Sequence, residues 1–161
     1  MDPVPERGPA DPVAAVESVL RGPVGVQLGA SLDVLGPARP VGAEVAAALA
    51  AVAREGLTNA NKHAPGARVA ATLAFEPGTV RLEIVNGLAA SGSAAEPGSA
   101  LSDTGGGAGL RGLRERVHAV GGRLEAGAEG RRWVLAAACP APAIGPAAPG
   151  DPAATSRGTR A

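Results

Sequence analysis

The sequence is short of aromatic residues. Its 161 residues contain one Phe, one Trp and no Tyr, so any core must be built from Ala, Val, Leu and Ile. Such a core stabilises a fold less per residue than an aromatic one, and we expect a ligand or partner to contribute to stability. The length suggests one domain with tails.

Other absences exclude whole classes of function. The formal net charge is zero and no Lys/Arg stripe alternates with aromatic residues, which argues against a nucleic acid partner. The single cysteine, Cys139, cannot form an intrachain disulfide and has no Cys or His neighbours at metal-ligand spacing. The longest apolar run, 133–139, is far shorter than the roughly twenty residues that cross a bilayer. With no signal-peptide pattern, these absences predict a cytoplasmic chain without membrane insertion.

The remaining sequence divides into segments with distinct periodicity. It predicts, in order, a short helix over 13–20, an edge strand over 24–32, a long helix over 40–63, a hairpin of strands 68–75 and 79–86, a helix over 109–120 and a hairpin of strands 123–126 and 131–139. The small-residue segment 87–107 is predicted to be a long loop, either a lid or disordered. This order predicts an α+β fold, a two-layer α/β sandwich with helices over one face of a mixed, mostly antiparallel sheet.

The same pattern predicts where the domain begins and ends. Residues 1–23 are expected to form a flexible segment with a possible short helix, and residues 24–139 the folded domain. The Pro/Ala/Gly-rich tail 140–161 has no periodicity and is expected to be disordered.

The long helix carries three polar residues on one side. Glu55, Asn59 and Lys62 are separated by four and three residues, which makes them neighbours on the helix surface. They lie roughly 90° from the apolar stripe, at the edge of the buried surface; the stripe comprises Val45, Leu49, Val52 and Gly56. A carboxamide beside a carboxylate suits Mg²⁺ and a lysine suits phosphate, although a solvated amphipathic face would show similar spacing.

A glycine-rich segment forms the second signal. It reads GGGAGLRGLRERV from Gly105 to Val117, a glycine run that opens directly into a helix and could cradle phosphates. Two alternatives are a flexible linker and, over 107–112, the dinucleotide fingerprint G-x-G-x-x-G, which lacks its β-α-β context here. Together the two segments predict a Mg-nucleotide site.

The order of the elements and these two segments resemble a known family. REGLTNANKHA at 54–64 and GGGAGLRGLRERV at 105–117 are similar to motifs of the ATP-binding catalytic domain of bacterial sensor histidine kinases. The branch is the one that pairs with helix-turn-helix response regulators, and the resemblance covers roughly residues 24–139. It implies a Bergerat-type ATP-binding fold of the GHKL-type superfamily, with ATP and Mg²⁺ as cofactors. It also implies transfer of the ATP γ-phosphate to a histidine.

The resemblance assigns roles residue by residue. Asn59 would ligate Mg²⁺ and act in catalysis with Glu55, which would orient the attacking group or help to hold the metal. Lys62 and His63 would contact the phosphates or the ribose side. The other ATP-binding residues it implies are Asn86, Gly87, Gly105, Gly107, Gly109, Leu110 and Gly112.

Two departures from the family pattern bear on function. Asn86 stands where the family has the adenine-recognising aspartate of a D-x-G-x-G box, and the second glycine is missing. A carboxamide can still accept a hydrogen bond from the adenine amino group, though charge-assisted bonds are about twice as strong. Alternatively, Asn86 with Gly87 is an ordinary turn dipeptide.

The second departure is the absence of a phosphoacceptor. His63 lies in the site helix, His118 is expected to be an ordinary helix residue, and residues 1–23 contain no histidine. The acceptor would then lie on another chain or a missing segment. The implied partners are a histidine-bearing dimerisation domain or a partner kinase chain and, indirectly, a response regulator.

The alternatives to a kinase are an ATP-binding regulatory module acting by protein contact, anti-sigma-like or as a decoy, and a fragment of a longer kinase. Phe75 and Trp133 are predicted to be core residues.

Overall fold

One five-stranded sheet organises the chain. The structure, a computed structural model, describes residues 8–88 and 107–142. The strand order is β1-β2-β3-β5-β4, with bounds Ser31–Leu35 (β1), Val69–Glu76 (β2), Thr79–Gly87 (β3), Arg123–Glu129 (β4) and Arg132–Pro140 (β5). β1 runs parallel to β2 and the other neighbours are antiparallel. Gly78 and Gly130, at φ of 71° and 59°, allow the two tight hairpin turns, because positive φ strains residues with a Cβ.

Four helices are present in the described ranges: α1 (Pro12–Leu20), α2 (Pro23–Gln27), α3 (Ala43–His63) and α4 (Gly107–Ala119). α3 and α4 cover the sheet face that carries the buried side chains of β3, namely Val80, Leu82 and Ile84. The other face exposes charged residues such as Arg81 and Glu125. The predicted α+β sandwich with a mixed, mostly antiparallel sheet is therefore confirmed. None of the helices in these ranges has the length and apolar character that crossing a membrane requires.

The apolar stripe predicted on α3 is buried, and its glycine sets the distance to the sheet. Val45, Leu49 and Val52 are at most 8% exposed. A Cβ added at Gly56 would lie 2.7 Å from Cγ2 of Ile84, which is closer than packed carbon atoms approach. The helix backbone therefore lies directly on the middle of β3, and no other residue fits at position 56 without displacing one of the two elements.

The predicted edge strand over 24–32 is wrong in its position. Residues 23–27 form helix α2, and the edge strand β1 begins at Ser31. Pro23 occupies the first helical turn, where its fixed φ and missing N–H cost nothing. Gly25 lies against the carbonyl of Leu20, an approach that a side chain would block. The alternation of apolar residues over 24–28 thus arises in a helical turn that reverses the chain after α1.

The packed unit also begins earlier than residue 24. Asp11 caps α1 by accepting hydrogen bonds from the N–H groups of Val13 and Ala14, at 2.9 and 3.3 Å. Val16 is fully buried against the core, and Ala10 pairs with Val41 through backbone hydrogen bonds. The boundary expected at 24 was wrong because α1 carries its own apolar stripe, which packs on α3. The chain is ordered to Ala141 at the other end, and the tail from 143 lies outside the described residues.

Arg39 joins three parts of the chain at one end of the sheet. Its Nη2 donates to the carbonyl oxygens of Glu76, Thr79 and Ala141, so one guanidinium holds both the β2–β3 turn and the end of β5. The guanidinium carbon also lies 5.6 Å from the ring centre of Phe75, within the range of a cation–π contact. Phe75, predicted as core, is buried.

Replacing Gly56 by Ala tests the close packing of α3 on β3. Ala normally stabilises a helix interior by about 0.5–1 kcal/mol relative to Gly. Here we expect the free energy of unfolding to fall by about 1–2 kcal/mol, because the new methyl overlaps Ile84. Gly112→Ala in α4 is the matched control, since its Cβ would meet nothing within 4 Å, and it should stabilise. Urea denaturation measures both variants; a stabilised Gly56→Ala protein would contradict this packing.

Burial of Cys139 predicts a loss of stability at alkaline pH. Desolvation raises the pKa of the thiol from 9.0 to about 11. Between these pH values the unfolded chain releases the proton and the folded chain retains it, so the free energy of unfolding should fall by about 2–3 kcal/mol as pH rises from 9 to 11. The stability contribution of this group is complete below pH 9. Denaturation at several pH values checks the slope, and Cys139→Ala should remove this component of it.

Candidate functional site

The polar residues of α3 and the end of β3 meet at one end of the sheet. α3 ends at His63, and the chain enters β2 at Val69, which is paired in register with Asn86 of β3. Ile84 lies under Gly56, and Asn86 lies two residues further along the strand, about 7 Å away. One helical turn beyond Gly56 carries the chain about 5 Å in the same direction. The sheet and helix thus place Asn59 and Asn86 at a common end, which we call the site end.

Glu55 and Asn59 present oxygen atoms on the same side of α3. Asn59 is 8% exposed and Glu55 is half-buried. Within the described residues, the side-chain amide of Asn59 takes part in no hydrogen bond. Its amide atoms are not among the fully buried polar atoms that lack a partner, so they are accessible to water or to a polar ligand.

The first turn of α4 lies against the carboxylate of Glu55. A Cβ added at Gly109 would fall 2.6 Å from Oε1 and 3.1 Å from Cδ of Glu55. The glycine therefore has a packing reason: it lets the helix N-terminus approach the carboxylate. The first N–H groups of a helix have no intrahelical acceptor and attract anions, so this approach brings oxygen ligands and anion-binding donors side by side.

Lys62 and His63 form the exposed rim of the site end. Both lie in the last turn of α3, where cationic side chains offset the negative end of the helix dipole. Their exposure leaves them free to reach an anion above the helix end. Lys62 is one turn from Asn59, as the spacing predicts, but the geometry also fits a purely solvated rim.

Asn86 is a strand residue with a buried side chain. It is 3% exposed, and its Nδ2 donates to the carbonyl oxygen of Gly87 at 3.2 Å. Both residues belong to β3 and pair with β5, so the alternative of a turn dipeptide is wrong. This bond uses one of the two N–H donors of the side chain, and the carboxamide oxygen makes no hydrogen bond within the described residues. That oxygen is suited to accept from a ligand amino group.

The predicted glycine loop is partly helical. α4 begins at Gly107, two residues before its predicted start, so Gly109 and Gly112 lie inside the helix. Leu110 is half-buried and packs against the core, whereas Gly112 is exposed and a Cβ there would meet nothing. Gly105 and most of the predicted lid lie outside the described residues. A Cβ at position 109 would therefore displace the end of the Glu55 side chain, whereas a Cβ at position 112 would displace nothing.

Trp133 was predicted to be a core residue, and the structure places it beside Asn86. It is directly paired with Asn86 across β3 and β5, so both side chains project from the helix-covered face. Its side chain is half-buried rather than enclosed. The sequence of β5, RWVLAAACP, does not alternate between apolar and polar residues, and the neighbour of Trp133 depends on the strand order, which the sequence does not reveal.

The side chains of Glu55 and Asn59 could provide only some of the ligands of a Mg²⁺ ion. Glu55 and Asn59 offer the hard oxygen ligands that Mg²⁺ prefers. In the two described ranges there is no cluster of three or more His, Cys, Asp or Glu side chains that could hold an ion alone. The protein residues therefore fit a Mg²⁺ ion that takes its remaining ligands from phosphate oxygens and water, which is the usual arrangement in nucleotide sites.

Two grooves lie away from these residues. One has a volume of about 970 Å³ and opens between the C-terminal end of α4 and the β2–β3 turn, lined by residues that include Arg114, His118 and Arg123. The other, of about 320 Å³, lies where α1 and α2 meet α3. Neither is lined by Glu55, Asn59 or Asn86. The candidate site is therefore defined by the chemistry of its side chains and not by groove volume.

Comparison with known proteins bears on the fold. No protein-family model and no curated protein matches the chain. Among solved structures, it is similar to the mycobacterial sensor histidine kinase MprB, with 21% identity and a TM-score of 0.61 over 84% of this chain and 97% of that one. The catalytic domain of histidine kinase ThkA gives 15% identity and a TM-score of 0.64 over 84% and 97%. The histidine kinase domain of the E. coli osmosensor EnvZ gives 18% identity and a TM-score of 0.61 over 98% and 99%.

The chain has the fold of histidine kinase catalytic domains. The resemblance stated from two sequence motifs is thus confirmed in the architecture, including the helices packed on one face of a five-stranded mixed sheet. At these identities the likeness is one of fold, and the roles of individual residues rest on the geometry given above.

Replacing Gly109 by Ala should move the Glu55 carboxylate without unfolding the protein. The end of a glutamate side chain can rotate away from the new methyl, and Ala favours the helix, so we expect the free energy of unfolding to change by less than about 1 kcal/mol. The carboxyl ¹³C shift of Glu55 should change clearly in this variant. It should remain as in wild type in Gly112→Ala, whose Cβ meets open space. Equal shifts in both variants would contradict the contact.

Proposed function

We propose that this chain is an ATP-binding catalytic domain of a two-component sensor histidine kinase. In this proposal the chain transfers the γ-phosphate of ATP to a histidine on another chain or another segment. The observation that carries it is the approach of the α4 N-terminus to Glu55, one turn from the Asn59 amide, which makes no hydrogen bond to the described residues. The fold shared with histidine kinase catalytic domains supports the same reading.

The site residues would have different roles in binding. Asn59 would hold Mg²⁺ through its carboxamide oxygen, and Glu55 would hold a metal-bound water or orient the attacking imidazole. The N–H groups of the first turn of α4 would face phosphate oxygens, with Lys62 and His63 adding positive charge at the rim. Bound Mg-ATP supplies the phosphoryl group with its charge partly neutralised. Catalysis by this chain would then consist mainly of positioning and charge compensation.

The partners follow from the chemistry of transfer. Neither His63, at the end of α3, nor His118, in α4, lies on a helical hairpin apart from the nucleotide site. The acceptor would therefore come from a histidine-bearing dimerisation domain or a partner kinase chain, with a response regulator acting downstream. We expect such a signalling pathway to be cytoplasmic.

Calorimetric titration with a non-hydrolysable ATP analogue, with and without Mg²⁺, tests binding. Asn59→Ala should weaken Mg-dependent binding at least about tenfold, because it removes a metal ligand from an otherwise intact helix. Asn61→Ala is the matched control: the same residue type, exposed and two positions along α3, and its affinity should stay within about twofold of wild type. Equal affinities of the two variants would argue against the assigned site.

Phosphoryl transfer is a separate measurement. With γ-labelled ATP and histidine-bearing kinase fragments as acceptors, label should reach the acceptor histidine, and Glu55→Gln should slow transfer more than it weakens binding. Good Mg-ATP binding with no transfer to any acceptor would contradict the enzymatic part of the proposal. It would favour an ATP-binding regulatory module instead.

A further inference from the structure

The only tryptophan of the chain contains a polar atom with no partner. The indole Nε1 of Trp133 is buried, and it has no hydrogen-bond acceptor within the described residues. A buried donor left unpaired costs about 1–3 kcal/mol, and buried tryptophans usually find an acceptor. Among the described residues nothing accepts from this N–H, so it is available to an acceptor from elsewhere, such as a bound ligand.

The position of Trp133 indicates which kind of ligand would bind there. It pairs with Asn86 across β3 and β5, and directly opposed residues have Cβ atoms about 5 Å apart on the same face. The next inward pair, Ile84 and Leu135, is fully buried under the helices. Trp133 and Asn86 thus form the last pair of the buried row, at the site end.

The two side chains offer complementary polar atoms. One of the two N–H donors of Asn86 Nδ2 goes to the carbonyl oxygen of Gly87, and the acceptor oxygen of the carboxamide makes no hydrogen bond within the described residues. The free atom of Trp133 is a donor. A ligand that satisfies both must present a donor and an acceptor on adjacent atoms. The adenine ring does so twice, because its exocyclic amino group is flanked by the ring nitrogens N1 and N7.

We propose that Trp133 is a base-contacting, specificity-determining residue of the nucleotide site. Its indole N–H donates to the ring nitrogen beside the adenine amino group, while the Asn86 oxygen accepts from that amino group. This rests on the proposed function. It also compensates for the neutral carboxamide at position 86: two neutral hydrogen bonds and the apolar indole replace one charge-assisted bond. A site with two such groups discriminates against bases that leave either one unpaired.

The single tryptophan makes the contact directly observable. Titration with the non-hydrolysable ATP analogue should change the emission of Trp133 with the same midpoint that calorimetry gives. Trp133→Phe keeps the apolar ring and removes the N–H, so it should weaken ATP binding about three- to tenfold. Val134→Ala is the control on the same strand: position 134 projects from the opposite sheet face, and its affinity should be unchanged.

Base analogues identify the accepting atom. One of 1-deaza-ATP and 7-deaza-ATP should bind wild type about three- to tenfold more weakly than ATP, and the other should bind like ATP. In Trp133→Phe both should bind like ATP, because the donor that read the ring nitrogen is gone. This loss of discrimination is a readout that a merely structural role of the indole would not produce.

The outcomes separate the two proposals. Calorimetric binding of ATP with unchanged tryptophan emission, and with equal affinities of wild type and Trp133→Phe, would overturn the role of Trp133 while leaving the proposed function intact. No calorimetric binding of any nucleotide to the folded wild-type protein would overturn both. A matched emission change with loss of deaza-analogue discrimination in Trp133→Phe would support both. Circular dichroism and urea denaturation of each variant establish that it is folded.

Discussion

The contact between Gly56 and Ile84 is the constraint on which the rest of the structure depends. With no side chain at position 56, α3 lies on the centre of the sheet, and its next turn reaches the end of β3. A larger residue there would lift the helix by a few tenths of an ångström or more and separate Asn59 from Asn86. In the second close contact, the backbone of Gly109 lies against the movable end of the Glu55 side chain, which brings the first turn of α4 next to α3. The missing Cβ atom at position 56 thus determines the distance between α3 and the sheet at the site end.

The small-residue core explains why such contacts matter in this chain. With one Phe and one Trp, the interior is packed largely with Ala, Val and Leu, so the elements approach closely and gain dispersion energy from many short contacts rather than from large rings. A core of this kind has few flexible side chains that could absorb a shift, because Ala has none to move and Val is stiff at χ1. Positional precision at the site therefore comes from the same composition that limits total stability.

The sequence allowed the sheet and the site helix to be predicted, because both have clear periodicity. Burial alternates along β2 and β3, and α3 carries an unbroken apolar stripe from Val45 to Gly56. Residues 24–32 were misassigned because Pro23 and Gly25 create a helical turn through contacts with α1, which no local pattern contains. α1 was left outside the domain because nine residues carry too little periodicity to reveal the surface they cover. Trp133 was predicted only as a core residue. Its pairing with Asn86 follows from the strand order, which the sequence does not show.

The buried thiol of Cys139 has a consequence for studies of motion. It lies beneath the end of α4, where a Cβ at Gly122 would come within 2.9 Å of both its Sγ and Cγ1 of Val117. A labelling reagent can reach this buried thiol only when the packing around it opens, so the labelling rate reports how often that happens. Each 1.4 kcal/mol of opening free energy slows the reaction about tenfold relative to an exposed thiol. The chain thus contains a single-residue probe of local opening at the end of the sheet opposite to Trp133.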